Sequence, residues 1–454
     1  MKIKRNRLLT PEQRPLAALA DYTASIAPGV LHAVLHDRQP LRVALAKPLS
    51  ERARLTALDR AWLVRAFSAV LRWWGWIEPL PRTRVEETLL LGWLLDSPEV
   101  GPVARAWAAR VGRQPDRLVP VGDAPSWTGR AEGLKRWAEG KPVNADPWRL
   151  FPDWLRDELP VPPGDGTPKV RRLQFLESLQ STPGVWVSAR GAEPAAIWNE
   201  LRDAGLKPWI HRRLKTAARL PAETDLGPFH SYKIGRLVSE DLASQAVAIV
   251  CDPDPGERWW DVRGQGWRHA AHLAALMHGK GLVVSTFEHE PTRHATALKL
   301  RHTPFHNVTT RLWDGKRPTG KLASHDGVLV DAPCSGVGGW RRAPDARWTV
   351  RSSDIPTLAA EQLRLLKTAS GGVRPGGSLV YTVVTVTRQE TMGVVQAFLD
   401  ASPDFQLQPF PHPLEESATT GTLQLWPHIH DGDARFIAKL VRSTKPSLAP
   451  GTPP

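Results

Sequence analysis

The apolar positions change their period along the chain. Within residues 14–113, Leu55, Leu58, Trp62, Leu63, Phe67, Val70 and Leu71 recur at helical spacing, with Arg60, Arg65 and Arg72 interleaved. Leu89, Leu90, Leu91, Trp93, Leu94 and Leu95 are more uniformly apolar, which predicts a largely buried helix. Pro79, Pro81, Gly101 and Pro102 punctuate between helices. This pattern predicts an all-helical unit, its arginines on solvated faces or against phosphates. Residues 114–169 lose the periodicity and gain prolines, ending in Pro160-Val161-Pro162-Pro163-Gly164. They read as a connector with short helices around Leu134 to Trp137 and Trp154-Leu155.

From Arg171 the pattern is mixed. Leu173 to Leu179 and Glu193 to Leu201 read as helices, Val185-Trp186-Val187 and Trp209-Ile210 as short strands. Beyond residue 236, apolar runs at 259–262, 281–287, 307–312, 327–330 and 378–381 read as strands, with helical stretches at 270–277 and 355–367 between them. A last strand pair falls near 405–407 and 436–440. This alternation predicts an α/β fold, an open and largely parallel sheet covered by helices on both faces. The expected organisation is a helical domain at 1–135, a linker at 136–169, a small α+β subdomain at 170–235, the main α/β domain at 236–443 and a flexible tail at 444–454.

One strand stands out by the loop at its carboxyl end. Gly327-Val328-Leu329-Val330 runs into Asp331-Ala332-Pro333-Cys334-Ser335-Gly336, with Gly338-Gly339 soon after. A buried strand ending in a proline and glycine loop is where open α/β sheets place their chemistry. Asp331 and Cys334 are therefore the site candidates. A small buried cysteine beside a turn is the alternative.

Composition narrows the partners. A chain of 454 residues with 41% hydrophobic and 23% charged residues has ordinary proportions, and no apolar run approaches the roughly 20 residues that cross a bilayer. No apolar segment comes after Met1-Lys2-Ile3-Lys4-Arg5, so a cytoplasmic protein without a membrane partner is expected, taken as a monomer. Two cysteines exclude a disulfide framework and a cysteine-based zinc site, and the scattered histidines show no metal-ligand spacing. The net charge of +14 points to a polyanion, most simply nucleic acid. His211-Arg212-Arg213-Leu214-Lys215 is a candidate phosphate patch through Arg212, Arg213 and Lys215, or else a solvated turn.

Asp331 to Gly336, Arg341-Arg342-Ala343-Pro344-Asp345-Ala346-Arg347-Trp348, Gln362, and Pro375 to Thr382 together resemble the RNA cytosine-C5 methyltransferases of the Nop/Sun family. The likeness is greatest to the bacterial 16S rRNA branch, whose members carry a helical NusB-like domain before the catalytic one. The resemblance implies a Rossmann-like class I methyltransferase domain, an rRNA partner and S-adenosylmethionine as cofactor. It also implies two cysteines. One thiolate adds to position 6 of cytosine, so that position 5 can take the methyl group, and the cysteine of the Asp-Ala-Pro-Cys loop assists product release. By resemblance Cys334 is the release cysteine and Asp331 binds the cytosine edge. Asp261, Gly264, Gly266, Asp314 and Asp331 are placed around the cofactor; Phe287 stands in the direct register of the ribose-holding acid, so Glu288 is a ribose contact if the turn shifts by one residue and otherwise an exposed acid. Arg341, Arg342 and Arg347, by place and charge, are candidates for RNA phosphates or else form an arginine-rich surface loop.

Two motifs depart from the family. Tyr381-Thr382-Val383-Val384-Thr385 puts Val384 where the nucleophilic cysteine stands. In the cofactor loop Trp267, Arg268 and His269 replace two glycines and a lysine, and such bulk is expected to crowd the cofactor. Three functions fit these residues: methylation with Cys334 as nucleophile, rRNA binding or ribosome assembly without catalysis, or methylation at another RNA atom.

Overall fold

The computed structural model describes residues 13–52, 55–81, 84–97, 99–114, 127–191, 193–221, 224–264 and 266–444. The expected tail lies almost wholly outside them. The chain divides into two compact units, residues 1–157 with 343–351, and residues 158–342 with 352–454.

The first unit is helical: α1 Gln13–Leu35, α2 Leu41–Glu51, α3 Ala57–Ile77, α4 Val85–Asp96, α5 Pro102–Val111 and α6 Trp127–Trp137. A reciprocal cap starts α3, with Thr56 Oγ1 accepting from the Asp59 amide while the Thr56 amide donates to the Asp59 carboxylate. The uniformly apolar stretch becomes α4, buried from Leu89 to Leu95. There Gly92 faces Val70 so closely that an added Cβ would sit 2.7 Å from the Val70 Cα. Two sequence readings fail in α3. Leu58 is 79% exposed because it lies in the first turn, ahead of the packed stretch. Arg72 is buried rather than solvated, its Nε 3.0 Å from Asp96 Oδ1. Within α1, Leu16–Leu35 is long and apolar enough to cross a membrane by length and composition, contrary to the sequence expectation, but 44% of that stretch is buried in the protein.

The second unit carries two sheets. The smaller is antiparallel, made of β1 Val185–Ala189, β2 Trp209–Ile210, β3 Ala217–Leu220 and β4 Leu237–Ser239 in the order β2-β3-β1-β4. The larger holds β5 Arg258–Val262, β6 Leu282–Phe287, β7 Val308–Leu312, β8 His325–Asp331, β9 Val373–Val383, β10 Phe405–Leu407, β11 Thr422–Leu425 and β12 Arg435–Arg442. Its order is β10-β12-β9-β8-β5-β6-β7, with β11 paired to β12. Strands β9, β8, β5, β6 and β7 are parallel, while β12 enters antiparallel beside β9.

Side chains alternate across this sheet, as a strand with two buried faces requires. Trp259, Leu329, Val380 and Ile437 join one core with the Leu242–Cys251 and Arg268–Leu276 helices. Trp260, Val328, Val330, Tyr381 and Phe436 join another with the Asp354–Ser370 and Val394–Ala401 helices. The predicted α/β fold is present, with strands near their expected places. β9 differs by starting at Val373, ahead of the expected 378–381 run, with a register irregularity opposite His325 and Gly327.

Candidate active site

The parallel strands end together, so the loops after β5, β6, β8 and β9 share one edge. Beyond β8, the segment from Asp331 to Gly336 is held by a residue the sequence reading did not single out. The buried Glu390 carboxylate accepts from the Ser335 amide at 2.8 Å, from Ser335 Oγ at 2.5 Å, from Gln362 Nε2 at 3.0 Å and from Thr387 Oγ1 at 2.7 Å. Gln362 also donates to the Pro333 carbonyl at 2.8 Å and accepts from the Tyr381 hydroxyl at 3.0 Å. Hydroxyl residues Thr382, Thr385 and Thr387 ahead of a lone acid were its trace in the sequence.

Cys334 is half-buried against the apolar core of β8 and β9. Burial, then the Glu390 and Asp331 carboxylates, push its thiol up to about 12, only partly offset by the Gly336 and Val384 amides donating to the sulfur. It is a thiol, not a thiolate, at neutral pH. The amide contact places Val384, where the family's nucleophile stands, beside Cys334. Cys251 is fully buried and its thiol is raised by burial, so it offers no substitute.

Asp331 is nearly buried, with His269 Nδ1 3.4 Å from Oδ2 and Arg435 Nη1 3.3 Å from Oδ1. Asp331, Asp261, Gly266, His269, Arg435 and Glu240 line one cavity of about 180 Å³. Burial alone would raise the Glu240 carboxyl, but Arg190, 2.6 Å away, and His272, 3.2 Å away, outweigh it and hold it well below the usual carboxylate range. Asp261 behaves oppositely. Its Oδ2 accepts from Ser285 Oγ at 2.6 Å, its Oδ1 is buried without a partner among the described residues, and burial followed by Asp331 pushes it up to about 7. Burial also lowers His269, although Asp331 opposes that shift.

The other cofactor candidates are spread around this edge. Gly264 must be glycine: a Cβ there would lie 2.6 Å from Ser285 Oγ and 3.0 Å from Asp261 Oδ2. Glu288 is bound by Arg263 at 2.6 Å, and Arg263 also reaches Glu361 at 3.2 Å. Asp314 is exposed, its carboxylate accepting from the Lys316 amide at 3.0 Å. Trp267 does not fill the acid-lined cavity. It is half-buried against the core and lines a separate cavity with Tyr232 and Lys299, whereas Arg268 and His269 do line the acid-lined one.

The arginine candidates divide. Arg212, Arg213 and Lys215 are exposed, with no side-chain hydrogen bond or ion pair among the described residues. In the second set Arg341 and Arg347 are buried, against expectation, while Arg342 is exposed. Arg341 is buried and reaches Asp431 at 3.0 Å, and Arg342 lies between Asp241, 3.0 Å away, and Asp433. Arg347 is fully buried within the helical unit, donating to the Arg72 and Leu150 carbonyls at 3.3 and 3.1 Å. Internal carboxylates and carbonyls take the hydrogen bonds expected for phosphate. The histidines also hold a surprise: His412, Glu415 and His430 converge with ligand atoms within 4.8 Å. However, His412 Nδ1 accepts from the Leu414 and Glu415 amides, which puts its proton on Nε2 and disfavours metal ligation there.

The S-adenosylmethionine implied by the family meets a mixed reception. The unpartnered Asp261 oxygen and neighbouring acids suit the cationic methionine end. A cavity of about 180 Å³ is smaller than the roughly 300–1,000 Å³ of usual ligand pockets, and Arg263 occupies the Glu288 carboxylate that would hold ribose hydroxyls. The acids fit the group, and Glu288 would hold its ribose only if released from Arg263.

Comparison with known proteins agrees with this geometry. Residues 248–441 match the family described as 16S rRNA methyltransferase RsmB/F. A Mycobacterium tuberculosis protein named as a methyltransferase, Rv1407, is 31% identical over 341 residues, covering 72% of this chain and 71% of that one. Ribosomal RNA small subunit methyltransferase B of Xanthomonas campestris is 29% identical over 333 residues, covering 70% and 73%. The match spans 66% of a Bacillus subtilis relative and 47% of a Synechocystis one. Among solved structures, PH0851 superposes with a TM-score of 0.69 at 20% identity, covering 96% of this chain and 100% of that one. NSun6 from Pyrococcus horikoshii with SFG gives 0.52 at 16% identity, covering 62% and 96%, and both likenesses concern the fold. With the Asp331 to Gly336 loop at the carboxyl edge of this sheet, the chain belongs to the 16S rRNA methyltransferase RsmB/F family.

Proposed function

We propose that this chain is an S-adenosylmethionine-dependent RNA methyltransferase acting on ribosomal RNA. The observation that carries the reading is the Asp331 to Gly336 loop, braced by Glu390 beside the acid-lined cavity. Asp261, Glu240 and Asp331 would face the cationic end of the cofactor, and Glu288 its ribose once freed from Arg263. The cofactor supplies an electrophilic methyl group. Arg212, Arg213 and Lys215 offer charge to RNA phosphates. Cys334 is the thiol available to a bound pyrimidine, and forming its thiolate near neutrality requires the substrate to change its surroundings.

Val384 and the raised Cys334 favour a second reading, an rRNA-binding member of the family that no longer methylates position 5 of cytosine. Labelled S-adenosylmethionine and rRNA fragments, with wild type and Cys334→Ala, separate the two. Transfer abolished in the variant supports the first reading. Transfer that persists in Cys334→Ala means that another RNA atom is the acceptor. Cofactor binding by calorimetry and rRNA binding at about 0.15 M salt, without any transfer, would leave the second reading standing and sink the first.

A further inference from the structure

The alternation of β12 places Arg435, Ile437 and Lys439 on one face. Ile437 packs beneath the Leu242–Cys251 helix, and Arg435 reaches the active edge. Lys439, four residues further and therefore roughly 13 Å from Arg435 at about 3.3 Å per residue, is only 7% exposed. Its side chain has no hydrogen bond or ion pair among the described residues.

It opens instead into a cavity of about 520 Å³, within the range of small-ligand sites. Gln408 lines the same cavity and its Oε1 is buried without a partner among the described residues. Its amide can be reversed to present N–H. Arg213 stands exposed in the lining, which His412 also joins. Asp252 is the acidic lining residue and is exposed, whereas Lys439 is buried.

We propose that this cavity is an anion site for a phosphate group, with the Lys439 ammonium as its anchor and Arg213 at its mouth. The phosphate belongs either to an RNA backbone or to a small phosphate-bearing molecule. The site is separate from the Asp331 and Cys334 edge and does not depend on methyl transfer.

Calorimetric titration of the full chain with inorganic phosphate, without S-adenosylmethionine, tests the assignment. Saturable binding is expected, weakened roughly tenfold or more in Lys439→Met, because a charge-assisted hydrogen bond is lost. Lys439→Arg should retain it. Because Lys439→Met alters packing, Gln408→Glu serves as a second variant of nearly equal volume: its carboxylate would pair with Lys439 and abolish binding. Phosphate that competes with a short single-stranded RNA identifies the backbone as the source; phosphate that binds without competing identifies a small molecule. Absence of saturable phosphate binding in wild type, or equal binding by wild type, Lys439→Met and Gln408→Glu, overturns the site. Loss of rRNA binding with phosphate binding intact counts against the RNA reading alone.

Discussion

On the β8 and β9 side, Glu390, Gln362 and Tyr381 tie together loops that lie far apart in sequence around Cys334 and Val384. On the β5 and β6 side, the acids are present, but Arg263 joins Glu288 to Glu361 across the place where a ribose would be held. The first side has a buried polar framework with Val384 where the resemblance implies a thiol, while the second has its acids with Glu288 paired to Arg263. A difference of one side chain is open to test by one substitution. An ion pair changes affinity by only as much as it contributes.

The largest effect expected from this contrast is a gain. Val384→Cys should raise methyl transfer to rRNA by roughly a hundredfold, since a lone nucleophile can account for several orders of magnitude in rate. Transfer unchanged from wild type would show that more than the sulfur is absent. Glu390→Ala should cost about 3 kcal/mol in chemical denaturation by stranding several buried donors. A cost below about 1 kcal/mol would mean that the frame does not depend on this carboxylate.

Arg263→Ala tests the other side. Its ion pair is partly exposed and worth at most about 1 kcal/mol, so freeing Glu288 should tighten S-adenosylmethionine roughly fivefold by calorimetry. Equal affinity would remove Arg263 as a barrier. The smallest effect is one of pH. Asp261 is pushed up to about 7, mainly by burial, so the folded protein holds a proton that an unfolded aspartate, near about 3.9, releases. This contribution to stability is present below about 4 and declines as pH rises through about 7, whereas affinity for a cationic ligand rises over that window. Asp261→Asn should flatten both slopes in melting and binding series.

Much of the second unit was legible in the sequence because its strands carry buried faces that local periodicity reports. The site was legible only where one segment contains it. Asp331 and Cys334 share a loop, but Glu390 receives hydrogen bonds from three separate stretches of chain, and no single stretch advertises that convergence. Arg435 escaped notice because it opens an apolar strand. Arg347 misled because its nearness in sequence to Cys334 suggested RNA, whereas the chain carries it into the helical unit. Trp267 misled through size, since bulk at a loop position does not fix the direction in which the ring turns.

That excursion of residues 343–351 has a consequence for biosynthesis. Asp345 accepts from the Leu41 amide at 2.9 Å, and the Arg347 guanidinium fills a buried place among the helices. The amino-terminal unit therefore cannot reach its native core while the ribosome has made only its first 157 residues; it must wait until residue 351 has emerged. A nascent chain arrested between those points would leave a gap in the helical unit, and proteolysis of stalled chains should find that unit resistant only after the later point.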